Sequence, residues 1–147
     1  MPFPELGARV AAVRERIEAA VKRGGHGQSV TIVAVTKTHG PEAVRAAFAA
    51  GIADIGENRV QEALGKIEQV REPVSWHLIG HLQRNKVKSL DAFALFHALD
   101  SLRLADAVDR VGLGRGSPVD VLVQVNPARE ETKGGSECSQ ENADPVL

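Results

Sequence analysis

Five apolar, largely β-branched stretches recur along this chain, ending at Val35, Ile55, Ile79, Leu99 and Val125, at intervals of 20, 24, 20 and 26 residues. A helical pattern fills each interval. Alternation at that period builds βα units and a parallel sheet, because parallel neighbours need a helix-length crossover between them. The first stretch, Val30-Thr31-Ile32-Val33-Ala34-Val35, reads as a strand buried on both faces. Pro41 with Glu42 then opens a helix over residues 42–50, closed by Gly51. Further strands fall at residues 52–55, 74–79, 94–99 and 119–125. The intervening helices carry Val60, Leu64 and Ile67, then residues 82–90, then Leu104, Ala107, Val108 and Val111 behind a cap at Asp100 or Ser101. Ahead of them all, Leu6, Val10, Val13, Ile17 and Val21 step by 4, 3, 4 and 4, the stripe of an amphipathic helix ended by Gly24-Gly25.

Five such units fit an open doubly wound sheet or the first five-eighths of a (β/α)8 barrel. No glycine-rich phosphate loop follows the first strand, which speaks against a dinucleotide-binding sheet. The fifth strand favours the barrel. Val119, Val121, Val123 and Val125 point one way, to pack on outer helices, while Asp120, Leu122, Gln124 and Asn126 point the other. A face that turns polar toward its C-terminal end suits a barrel mouth.

At 147 residues the chain suits one domain, since a chain near ~150 residues hides roughly 70% of its unfolded surface. Its 18 basic and 19 acidic residues leave a net charge of −1, with no basic stripe or acidic tail. That argues against nucleic acid and anionic membranes as partners. A single cysteine, Cys138, excludes an internal disulfide and fits a reducing compartment. The start, Met1-Pro2-Phe3-Pro4-Glu5, is unlike a signal peptide, and no apolar stretch is long enough to span a bilayer. The expectation is a soluble cytoplasmic protein.

Every strand is followed by a polar cluster: Lys37-Thr38-His39, Glu57-Asn58-Arg59, His81 with Gln83 and Asn85, Asp100-Ser101, and Asn126. In a parallel barrel these ends converge on one rim, where the chemistry of such folds collects. Lys37 is the most pointed of them. Desolvation at the end of a buried strand would favour the neutral amine, the form that makes a Schiff base with an aldehyde. An isolated strand-end lysine more often just reaches solvent. Asn58 and Ser101 serve equally well as helix caps. His77, inside the third strand between Trp76 and Leu78, needs a partner or a task. A metal site is poorly supported, because His77 and His81 straddle a strand end and no carboxylate completes a set. No nucleophile elbow supports a serine triad. Arg84, Lys86 and Lys88 read as a solvated helix face.

Four segments carry a specific likeness: Ile32-Val33-Ala34-Val35-Thr36-Lys37, Ile55-Gly56-Glu57-Asn58-Arg59-Val60-Gln61-Glu62, Trp76-His77-Leu78-Ile79-Gly80-His81-Leu82-Gln83-Arg84-Asn85-Lys86 and Val123-Gln124-Val125-Asn126. In order and spacing the chain resembles the pyridoxal phosphate homeostasis family, the YggS/PROSC group, over residues 6–135. The resemblance implies a barrel like the N-terminal domain of alanine racemase, with pyridoxal 5′-phosphate (PLP) held as an aldimine. Lys37 matches the Schiff-base lysine of that family, and Asn58 and His77 match positions near the cofactor. It also implies a role in balancing vitamin B6 vitamers without substantial catalysis, with PLP and PLP-dependent apoenzymes as partners. The absence of any tyrosine agrees, since alanine racemases use a tyrosine base and a second domain.

The likeness runs through Thr132-Lys133-Gly134-Gly135, and the polar residues 136–147 that follow depart from it. Residues 1–135 are thus expected to form an incomplete PLP-binding barrel domain with about five βα units, where a closed barrel takes ~250 residues. Residues 136–147 are expected to be a disordered tail. The family's later Ser and Gly-Thr motifs, which cup the PLP phosphate, have no counterpart here, as in a truncated product. Oligomeric state stays open. Two other readings also remain: a Schiff-base aldolase or phosphosugar barrel enzyme, and a non-functional remnant.

Overall fold

A computed structural model describes residues 3–126 and the pair Ser136–Glu137. The elements are α1 (Leu6–Gly24), β1 (Val33–Val35), α2 (Pro41–Ala49), β2 (Asp54–Glu57), α3 (Val60–Ile67) and β3 (Ser75–Leu78). A 3₁₀ segment (Arg84–Ala92), β4 (Leu95–Leu99), α4 (Leu102–Arg115), β5 (Val121–Val123), β6 (Val125–Asn126) and β7 (Ser136–Glu137) complete them. The first five strands form one sheet in the order β1-β2-β3-β4-β5, every pairing parallel. Strands laid down side by side in chain order, each returned by a helix, are the way of a βα barrel; a doubly wound sheet reverses its order midway. The open-sheet alternative is thereby excluded.

The core lies between the sheet and its helices. Ile55, Trp76, Leu78 and Phe96 project from the sheet onto Val44 and Ala47 of α2, Val60 and Ala63 of α3, and Leu104 and Val108 of α4, all buried. Period 2 in the strands meets period 3–4 in the helices across one layer. On the opposite face the register aligns Val35, Gly56, His77 and Leu95 in one row. Gly56 fits closely there: a Cβ would stand 3.1 Å from Val33 Cγ1 and 3.4 Å from Ile79 Cγ2.

Several boundaries differ from expectation for physical reasons. The first strand is shorter than residues 30–35 and is not buried on both faces; Val30 and Val35 are each 50% exposed. β1 pairs only with β2 among the described residues, so its apolar run lacks a neighbour on one side. Residues 82–90 do not make an α-helix. Val87, Leu90 and Phe93 are buried at intervals of three, which matches the three residues per turn of the 3₁₀ form. The fifth strand divides into β5 and β6, and the register of β5 on β4 shifts between Phe96 and Leu99. Val119 and Val121 pack on the helix-side core as expected, whereas Val123 and Val125 are exposed. β6 instead pairs in parallel with β7. Residues 138–147 of the expected tail lie outside the described residues. In α1 only Val10 of the apolar stripe is buried, and Val13 is 42% exposed. No helix among the described residues is long and apolar enough to cross a membrane.

Candidate functional site

The parallel order brings the C-terminal ends of all five strands to one edge, and cross-links tie neighbouring loops there. Lys37 lies two residues beyond β1. It is exposed, and its amine makes no hydrogen bond or ion pair among the described residues. The burial expected to favour its neutral form is therefore absent.

Its neighbours are held tightly. Thr36 is buried; its hydroxyl donates to Glu57 Oε1 at 2.5 Å, and its carbonyl accepts from Lys66 Nζ at 2.8 Å. Thr38, on the other side of Lys37, has φ 67°, a left-handed conformation that non-glycine residues seldom adopt. Its N–H donates to Glu62 Oε1 at 2.6 Å. The same Glu62 oxygen accepts from Lys66 Nζ at 3.1 Å, and Lys66 also reaches Glu57 Oε1 at 2.6 Å. One buried ammonium thus bridges two carboxylates and the backbone beside Lys37. Glu57 Oε2 is buried with no hydrogen-bond partner among the described residues. Burial raises the Glu62 carboxyl, but the hydrogen bonds from Lys66 and the Thr38 N–H, with the charges of Lys66 and Arg59, outweigh it and hold Glu62 below its ordinary 4.5. Glu62 stands in the first turn of α3, where the helix dipole also favours a carboxylate.

Asn58 follows β2 and is exposed; it does not cap α3, whose N-cap is Arg59. It packs so closely on the next strand's loop that a Cβ on Gly80 would fall 2.2 Å from Asn58 O and 2.6 Å from its Oδ1. Beside it a hollow of 250 Å³ is lined by Asn58, Arg59, His81, Gln83 and Lys86 among others. One loop further on, His81 Nδ1 lies 3.3 Å from Asp100 Oδ2. A larger hollow of 550 Å³, walled by Leu99, Val108, Leu113 and Val121, lies between α4 and β5 and contains none of the expected site residues.

His77 has the partners its burial demands. Its Nε2 is 3.0 Å from Asp54 Oδ1 and its Nδ1 is 2.9 Å from His97 Nε2. The chain is satisfied when Nε2–H donates to the carboxylate and Nδ1 accepts the His97 proton. By register the three residues climb across β2, β3 and β4, with His97 nearest the rim. Burial, then the charge of His77, holds His97 below its ordinary 6.5. Among the described residues no group of three or more His, Cys, Asp or Glu is placed to hold a metal ion.

Sequence reasoning singled out Lys37, Asn58 and His77 but missed Asp54, His97, Glu62 and Lys66. The Glu62/Lys66 spacing of four was visible. What hid Lys66 was its place on the buried side of α3, in line with Val60 and Ala63.

The sequence model of the alanine racemase N-terminal domain family matches residues 9–141. The chain belongs to that family. It is 42% identical over 132 residues to a protein of Aquifex aeolicus named "Pyridoxal phosphate homeostasis protein", covering 88% of this chain and 58% of that one. A protein of the same name from Pseudomonas aeruginosa is 38% identical over 140 residues, 93% of this chain and 60% of its own length. The chain thus spans about three-fifths of the relatives it matches. Among solved structures, PipY of Synechococcus elongatus with PLP bound superposes at a TM-score of 0.69 with 32% identity, over 88% of this chain and 57% of PipY. An alanine racemase of Clostridium difficile, at 14% identity and TM-score 0.68 over 81% of this chain and 32% of its own, shares the fold. The architecture is therefore part of a βα barrel of the alanine racemase N-terminal type.

Proposed function

We propose that this chain binds PLP through Lys37 and serves vitamin B6 homeostasis rather than catalysis. The observation that carries the reading is an exposed, unengaged lysine amine at a barrel rim, on a loop whose flanking residues are fixed by a buried ion cluster. PLP presents an aldehyde, and a free primary amine on a rigid mount fits it. Asn58, one strand over, would offer an amide to the bound group. Both ring nitrogens of His77 are engaged, so a contribution from His77 would come through the face of its ring. When bound, PLP supplies an electron sink, and a protein directs it only by placing acids and bases around it. Here the chain has no tyrosine, and His77 hydrogen-bonds both Asp54 and His97. Relatives named for PLP homeostasis support the same reading.

Titration of the purified chain with PLP should give a visible absorption band that Lys37→Ala abolishes. Alanine racemisation and amino acid decarboxylation at saturating PLP should stay near background. A positioned acid or base is worth ~10²–10⁴ in rate, so turnover on the enzyme scale of ~1–10³ s⁻¹ would contradict the non-catalytic part of the reading.

A further inference from the structure

We propose that Lys66 and Glu62 are positioning residues for Lys37: together they clamp the peptide units on either side of it and so fix where its amine stands. The inference rests on the PLP-binding reading for its purpose but on geometry for its substance. Lys66 Nζ ties the Thr36 carbonyl at 2.8 Å, immediately before Lys37. Glu62 Oε1 ties the Thr38 N–H at 2.6 Å, immediately after it. The two clamps are one unit, since Lys66 Nζ and Glu62 Oε1 are 3.1 Å apart, and Glu57 anchors the ammonium from below at 2.6 Å. Thr38 sits in a left-handed conformation at φ 67°, which reverts unless the surroundings hold it. The bond to Glu62 does the holding. Lys66 is buried, so its charge is screened little by solvent and its geometry is constrained by packing.

A long flexible side chain such as Lys37 samples many rotamers, and a mobile backbone beneath it would multiply them. Clamping both flanking peptides removes the backbone share of that freedom before any ligand arrives. The consequence is an effect on capture at Lys37 from residues that never touch the ligand.

The test uses the full chain with Glu62→Ala, Glu62→Gln and Lys37→Ala, read by amide hydrogen exchange at Thr38 and by borohydride-trapped pyridoxyl label on Lys37 at sub-saturating PLP. Thermal unfolding controls for loss of fold, and Glu62, being half-buried, is the safer of the two residues to change. Glu62→Ala should speed Thr38 exchange about tenfold, the effect of losing one charge-assisted hydrogen bond, and should lower the Lys37 label. Glu62→Gln keeps a carbonyl acceptor and should restore most of both. Unchanged exchange and label in Glu62→Ala would overturn the proposal, as would equal losses in Glu62→Gln. A wild-type chain that takes no label, while its Thr38 exchange responds as described, would support the clamp and overturn the PLP-binding function instead.

Discussion

Lys66 occupies a core position on α3, where three oxygens receive its ammonium. Removing one partner of such a pair leaves the other buried and uncompensated. Lys66→Met should therefore destabilise the fold by about 3–5 kcal/mol, and adding Glu57→Gln should recover part of that loss, both read from urea unfolding. Full stability in Lys66→Met would mean that the cluster is solvated. His97 sets a pH dependence. His97 is held below its ordinary 6.5 by burial and by His77. A folded-state pKa that is depressed contributes stability that is present above the unfolded value and lost as pH falls through the folded one. Stability should decline as the medium is acidified below 6.5, and His97→Gln should flatten that limb. A second decline, below 4.5, belongs to Glu62 and should be absent in Glu62→Gln.

At the scale of elements, the sequence spoke clearly where an apolar period met a turn residue. Pro41 opens α2, Gly25 ends α1 in a left-handed conformation, and the Leu104/Val108 face of α4 is buried. It spoke less clearly where a side chain's partner lies far off along the chain. Nothing local says that Glu57 points inward to Lys66, nine residues on, or that His77 bridges Asp54 and His97. The helical segment expected over residues 82–90 is present as the 3₁₀ helix Arg84–Ala92, and the buried Val87, Leu90 and Phe93 mark that form by their spacing of three. Gly80 joins two elements by close approach: a Cβ there would meet Asn58 O at 2.2 Å, nearer than atoms can stand. Gly80→Ala should push the β2 and β3 loops apart, cost about 1–3 kcal/mol and weaken PLP binding, as measured by unfolding and by titration. Wild-type affinity in that variant would remove Asn58 from the site.

For the molecule as a whole, the regular strand period foretold the sheet order, because each βα unit is a local event repeated. The exposure of apolar side chains on the flanking strands was not legible in any single strand. Val35, Leu122, Val123 and Val125 are all exposed, and β1 and β5 each pair on one side only among the described residues. Open strand edges and exposed apolar side chains favour association. A version carrying the remaining βα units of its relatives should unfold at higher temperature and bind PLP more tightly than this chain, which spans 58% of the Aquifex protein's length. Equal stability and affinity would mean that the five units suffice alone. PLP capture by this chain depends on which amine takes the cofactor, and one measurement reads it directly. The chain is mixed with PLP, reduced with borohydride, digested and mapped by mass. The pyridoxyl group should appear on Lys37, whereas label on Lys66, Lys86 or Lys133 with Lys37 unmodified would contradict the central claim.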